Sequence, residues 1–366
     1  MDGAQPQAID TFTETKSEAS QKGSGLAQLR RAGHISDAER NSLAPVAAQF
    51  GVAVTPQMLR QIDPQNPTDP VAAQFVPSLN ELKISDEELN DPIGDHHHSP
   101  VKGIIHRYPD RVLLTPVYVC PVYCRFCFRR EDVGGQDALS ANELEAALNY
   151  IRSNTEVWEV ILSGGDPLIL SPRRLNNILQ SLRDIPHVKV IRIHSRVPVV
   201  SPERISDELT AVLRAANPLY VVIHTNHAQE FSSAALNACA KLADAGVPLL
   251  SQTVLLKGIN DTPEKLGALM RLLVENRIKP YYLHHADRAK GTGHFRTSIE
   301  EGQALMRQMR GDYSGLCQPQ YVLDIPGGAG KSPVGPQYIK REGENWEVTD
   351  FKEDTHSYAE EHTTGK

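Results

Sequence analysis

From residue 111 to residue 285 the chain repeats one pattern, and that pattern limits the fold more than any other feature. Short runs rich in β-branched residues stand at 111–119, 157–163, 189–194, 220–224, 249–254 and 281–285. Longer segments with leucine or alanine on one stripe lie between them, at 141–152, 172–182, 203–215, 233–245 and 263–276. A strand followed by a helix of a dozen residues cannot return as a hairpin; the helix carries the chain across the sheet and the next strand lies parallel. The reading is therefore α/β with a parallel sheet, either doubly wound and open or curved into a partial barrel. In both, chemistry gathers at the carboxyl ends of the strands.

The flanks are different in kind. Residues 1–24 are polar and rich in Ser, Gln, Thr and Gly, and read as a disordered lead. Residues 25–100 show helical spacing (Leu26, Leu29, Ala32, then Leu43, Val46, Phe50) interrupted by prolines at 64, 67 and 70, a small helical N-terminal region. The core domain is expected over 101–317, a segment carrying a glycine-flanked lysine over 318–345, and a charged tail over 346–366.

The loop after the first run carries Cys120-Pro-Val-Tyr-Cys124-Arg-Phe-Cys127. Three thiolates in one short loop admit two readings. One is part of a zinc site, completed by His106 or a residue of the His96-His97-His98 run, since zinc closes with four ligands. The other is a [4Fe–4S] cluster with one iron left open, because full protein ligation takes four cysteines. An open iron can bind a small molecule. The remaining cysteines, Cys239 and Cys317, are isolated. Consecutive histidines do not easily face one ion, so the histidine run reads as a solvated or locally packed loop.

Two glycine clusters follow. Ser163-Gly164-Gly165-Asp166-Pro167 ends the second run, where glycines allow close backbone approach to a ligand and Asp166 or carbonyls can meet an ammonium; a plain turn is the alternative. Pro326-Gly-Gly-Ala-Gly-Lys331-Ser-Pro does not satisfy phosphate-loop spacing, and Pro333 opposes a following helix. A lysine on a glycine turn suits Schiff-base chemistry, or is merely a solvated surface lysine.

Composition excludes several classes. The net charge of −7 disfavours a nucleic-acid backbone as partner. No apolar run approaches the ~20 residues of a membrane span. The first residues, with Asp2, Asp10 and Glu14, do not read as a secretory signal. Five cysteines, three of them clustered, fit a reducing cytoplasm.

Taken in order, the cysteine run with Phe128-Arg129-Arg130, Ser163-Gly-Gly-Asp-Pro-Leu168, His224-Thr-Asn-His227, the 251–261 segment, Tyr281-Tyr282, His294-Phe-Arg-Thr297 and Asp324-Ile-Pro-Gly-Gly-Ala-Gly-Lys331 resemble the lysine 2,3-aminomutase family of radical S-adenosylmethionine (SAM) enzymes. The resemblance runs from about residue 100 to 338 and more loosely back to 26. It implies a partial (β/α)6 TIM-like barrel with a small helical N-terminal region. It also implies a [4Fe–4S] cluster on Cys120, Cys124 and Cys127, SAM, pyridoxal 5′-phosphate (PLP), and an external electron donor for the cluster. By the same resemblance Lys331 holds PLP, Arg111 contacts it, and Gly164, Gly165, Asp166, His224 and Gln252 lie near SAM. Arg129 takes the substrate carboxylate, while Asp287 and Asp324 take the ammonium of L-lysine. The implied reaction is a radical shift of the amino group from C2 to C3.

The charges support lysine over glutamate, since two acids repel a side-chain carboxylate. A 2,3-aminomutase for another amino acid, such as glutamate, remains the alternative. So does a shorter branch that supplies (R)-β-lysine for elongation factor P. A non-catalytic electron carrier would need neither Lys331 nor the acid pair. Thr262 stands where long family members carry a zinc cysteine, and no cysteine follows Cys317, so a homo-oligomer here is expected without the family's zinc site.

Overall fold

The structure, a computed structural model, describes residues 18–134 and 138–360, with side chains from Gly25 onward. Nine strands form one sheet in strict sequential order: β1 (Ile104–Tyr108), β2 (Arg111–Val117), β3 (Glu159–Gly164), β4 (Val190–Ser195), β5 (Leu219–His224), β6 (Leu249–Leu255), β7 (Ile278–His285), β8 (Gln320–Ile325) and β9 (Gly330–Pro333). Strands β2 to β8 are mutually parallel; β1 and β9 are antiparallel edges. The six expected strands are all present as β2 to β7. The additional parallel strand, β8, follows a helix, Ile299–Asp312, that extends the repeat by one unit.

The helices form where the stripes require them. In Pro172–Arg183 the buried residues Leu175, Ile178, Leu179 and Leu182 recur at three- and four-residue steps, and Ser171 caps the N-terminus. Ser140 and Glu143 make a capping box for Ala141–Ser153. Val160, Leu162, Ile193, Val221 and Ile223 are wholly buried on one face of the sheet, and Ile161 and Val222 are buried on the other, the mark of parallel strands covered on both faces.

The sheet curls into a nearly closed barrel whose two edges do not pair through their backbones. One side chain bridges them: Lys331 N on β9 donates to Tyr108 Oη on β1 at 2.6 Å. Gly330, at φ +102°, sits against that hydroxyl, and an added Cβ would lie 2.9 Å from it. Lys331 therefore stands on a paired strand at the seam, not on a free glycine turn.

The lead expected over 1–24 falls mostly outside the described residues; the first helix begins at Glu18 and runs to Arg31. Of the tail expected over 346–366, residues 361–366 lie outside the described residues, and the rest is structured. Here β10 (Ile339–Glu342), β11 (Asn345–Thr349) and β12 (Thr355–Ala359) form an antiparallel three-stranded sheet. The sheet buries little; Trp346 and Val348 alternate with polar residues in β11, but β10 and β12 carry no such apolar alternation to announce them. No helix among the described residues is long and apolar enough to cross a membrane.

Candidate active site

The carboxyl ends of the strands bring nearly all the expected residues to one face. The three cysteines lie in the loop after β2 as free, half-buried thiols. Burial pushes the Cys127 thiol up to about 11, and Cys120 well above its ordinary value. Metal coordination would have to supply the missing stabilisation of the thiolates. Among the described residues no three His, Cys, Asp or Glu side chains group tightly enough for a single ion. A cluster in which each cysteine binds a different iron does not demand such a group, so the donor set fits iron and sulfur better than one zinc.

The N-terminal region holds this loop in shape. Tyr123 N donates to Ala53 O, and Arg125 N donates to Gln74 O. The Arg125 guanidinium meets the fully buried Glu81 through two bonds of 3.0 and 2.5 Å, and Arg130 adds a third at 2.5 Å. Burial alone would raise the Glu81 carboxyl; Arg125 and Arg130 outweigh it and hold it below its usual range.

Gly164 and Gly165 end β3 against this loop. A Cβ on Gly164 would meet Thr115 at 2.0 Å, and one on Gly165 would meet Val119 O at 2.4 Å. Gly164 is thus dictated by packing on β2, and Gly165 by packing on the start of the cysteine loop. Asp166 is buried, and its oxygens already accept from Ser195 Oγ (2.7 Å), Leu168 N (3.1 Å), Arg196 N (2.7 Å) and Val197 N (3.1 Å). It ties the end of β3 to the turn after β4, which leaves the backbone of the motif to meet a ligand.

His224 and Gln252 are direct register partners on β5 and β6. His224 packs edge-on against Phe126, a residue between two of the cysteines, and its buried Nε2 lacks a partner among the described residues. Burial, then the cation of Arg196, keeps its imidazole neutral.

Across the barrel, Asp324 of β8 lies opposite Lys331 of β9. Lys331 Nζ donates to both Asp324 oxygens, at 2.5 and 2.7 Å, and His284 Nδ1 lies 3.3 Å from Oδ2. Burial would raise the Asp324 carboxyl, but His284 and Lys331 together hold it well below the usual carboxylate range. Asp287 behaves oppositely. Its Oδ1 is shielded from solvent with no partner among the described residues. Burial, then the Asp324 charge, pushes its carboxyl up to about 8.

Arg129 donates through Nε to Asp95 Oδ2 at 2.8 Å; among the described residues its two Nη groups have no protein acceptor. Asp95 also accepts from Arg107 Nη2 at 3.0 Å. Arg111 lies over the Tyr108 ring at 3.9 Å and donates to Asp110 at 2.6 Å, so Tyr108 links Arg111 to the Lys331 backbone. The histidine run is a locally packed turn in which His98 Nε2 lies 3.1 Å from Gly328 O.

Sequence patterns alone do not point to Glu81, Asp95, Tyr108, His284 or Arg196. Glu81 closes a Ser78-x-x-Glu81 capping box, which announces a helix start and not a site, and the other four are lone polar residues outside any motif; only buried partners reveal them. Asp95 had one available signal, its place beside Gly94 at the head of the histidine run.

Residues 114–273 match the radical SAM superfamily. The chain is 42% identical over 313 residues to the L-lysine 2,3-aminomutase of Clostridium subterminale, spanning 85% of this chain and 75% of that one. Its identity to the L-lysine 2,3-aminomutase of Escherichia coli is 36% over 304 residues, spanning 82% and 89% respectively. To the glutamate 2,3-aminomutase of Clostridioides difficile it is 38% over 309 residues, spanning 84% and 73%.

Proposed function

The chain belongs to the lysine 2,3-aminomutase family of radical SAM enzymes, isomerases that act on an amino acid, and from that premise we propose that its substrate is L-lysine and that Lys331 carries PLP. A [4Fe–4S] cluster and SAM come with the superfamily. When bound, the cluster with SAM supplies a carbon radical able to remove hydrogen, and PLP supplies a π system over which an unpaired electron spreads.

The chain's own residues do the positioning. Cys120, Cys124 and Cys127 hold the cluster. His224 and Gln252, with the glycine backbone at 164–165, line the SAM side. Arg111 with Tyr108 lines the PLP side. The unengaged Nη fork of Arg129 suits bidentate capture of an α-carboxylate. Lys331 becomes a nucleophile only when its amine loses a proton and leaves Asp324.

One observation carries the choice of lysine. Asp324 already holds a lysine ammonium, that of Lys331, while beside it Asp287 has a shielded oxygen without a partner. Once Lys331 is engaged elsewhere, the charged Asp324 and the carboxyl of Asp287 face the space a substrate side chain would fill, and an ammonium there favours the ionised form of both. A glutamate carboxylate would instead meet the negative charge of Asp324 and have no cation to pair with.

An anaerobic assay of the reconstituted protein with SAM, PLP, a reductant and a panel of lysine, glutamate and neutral amino acids tests the reading. Lysine should be turned over fastest, with the amino group at C3 in the product. Faster turnover of glutamate would overturn the substrate assignment.

A further inference from the structure

One buried side chain touches the cysteine loop without being a candidate ligand. Arg196 follows β4 directly and is 5% exposed. Its Nη1 donates to Cys124 Sγ at 2.8 Å. Its Nη2 donates to Gln74 Oε1 at 2.6 Å and Glu230 Oε2 at 2.7 Å, and its backbone N donates to Asp166 Oδ2 at 2.7 Å. The guanidinium lies near the rings of Phe75 and Phe126, at 4.6 and 5.5 Å. Residues from several separate segments thus hold one permanent cation against one cysteine sulfur, a costly arrangement if its purpose were only to fill space.

We infer that Arg196 is a positioning residue for the cluster: it fixes Cys124 and makes the cluster easier to reduce. Reduction adds one electron from an external low-potential donor to the oxidised cluster, with no bond made or broken. The reduced cluster is more negative, so a cation and an N–H donor at a ligand sulfur favour it. Glu230 compensates part of that cation and works in the opposite direction. The guanidinium would thereby set how readily the electron needed for SAM cleavage is loaded. This inference rests on the cluster's being held by the three cysteines.

The test needs neither SAM nor turnover. Wild type, Arg196→Lys, Arg196→Met and Glu230→Gln are reconstituted anaerobically. Iron and sulfide are quantified, and the midpoint is read by an EPR-monitored titration with dithionite and viologen mediators. In Arg196→Met the reduced-to-oxidised ratio at fixed poise should fall about tenfold, equivalent to about 59 mV for one electron. Arg196→Lys should fall less, and Glu230→Gln should shift the other way. A loaded Arg196→Met protein with an unchanged midpoint would assign Arg196 to packing alone and overturn the inference. If Arg196→Met retains no cluster, the two milder variants decide: no change in Arg196→Lys together with no rise in Glu230→Gln overturns it equally. A wild type without any iron–sulfur signal would refute the cysteine assignment itself, and the inference with it.

Discussion

The two sides of the barrel mouth are finished to different degrees. On the cysteine side, Glu81, Asp166, Glu230 and Arg196 each have several protein partners, and the N-terminal region reaches over to supply Gln74, Ala53 and Glu81. On the lysine side, among the described residues, Asp287 Oδ1 has no partner, Arg129 offers an unengaged fork, and Lys331 is parked on Asp324. The first side is built as a mould for something that stays. The second resembles a socket for something that comes and goes, since polar groups aimed at a ligand must be left unpaired by the protein.

The largest effects should come from breaking the mould. Replacing Cys120, Cys124 or Cys127 with Ala should abolish reductive SAM cleavage, measured as 5′-deoxyadenosine formed under dithionite. Retained cleavage in the triple variant would remove the cluster from this loop. Glu81→Ala would strand Arg125 and Arg130 in a buried site, at a cost of about 3–5 kcal/mol. Denaturant unfolding should register that loss, and reconstituted iron should fall with it. On the socket side, Lys331→Ala should leave stability much nearer to wild type. It should also eliminate the pyridoxyl label that borohydride fixes to the Lys331 peptide in the wild type. A label persisting on another lysine, or a Lys331→Ala protein as unstable as Glu81→Ala, would erase the contrast.

The sequence reveals these two sides unequally. The cysteine loop, the glycine turn and strands β2 to β7 are legible because each rests on a local pattern: fixed ligand spacing, paired glycines, β-branched runs between striped helices. What secures the cysteine side is not legible. Glu81 and Arg125 are 44 positions apart, and Gln74 and Arg196 are 122 apart. Polar pairings at that separation leave no periodic trace. On the lysine side, Gly330-Lys331-Ser332-Pro333 has no apolar alternation and reads as a turn; its pairing with β8 imposes the strand. Family resemblance identifies Asp324 and Asp287, but neither the parked Lys331 nor the missing partner of Asp287 can be read from the sequence.

A smaller effect sharpens the socket's specificity. With Lys331 carrying PLP, Asp324→Asn or Asp287→Asn would leave a substrate ammonium partly unpaired. Truncating such a charge pair costs about 2–5 kcal/mol, so kcat/KM for lysine should fall on the order of 30-fold or more. Discrimination against neutral side chains should relax in the same variants. Arg129→Lys should instead depress every amino acid alike, because all share the α-carboxylate. Equal losses for lysine and neutral analogues in the Asp variants would move both acids from the socket to the scaffold.

The last contrast is a pH dependence that separates the two acids in the ligand-free protein. Asp287 has a folded carboxyl at about 8 against an ordinary value of 3.8. Between those values the folded form keeps the proton and the unfolded form has lost it. Unfolding therefore releases a proton, and stability contributed by this group falls as pH rises from about 4 to about 8, then levels. Asp324 acts in the other direction and elsewhere: its carboxyl is depressed, so its contribution is present above the ordinary value and is lost only as pH falls below it. The difference in melting temperature between wild type and Asp287→Asn should consequently drift against the wild type from about pH 4 to about pH 8. Added lysine, in the PLP-loaded protein, should flatten that drift by bringing an ammonium to the unpaired oxygen. Parallel melting curves across the window would mean that the Asp287 carboxylate is already satisfied, and that the socket is no emptier than the mould.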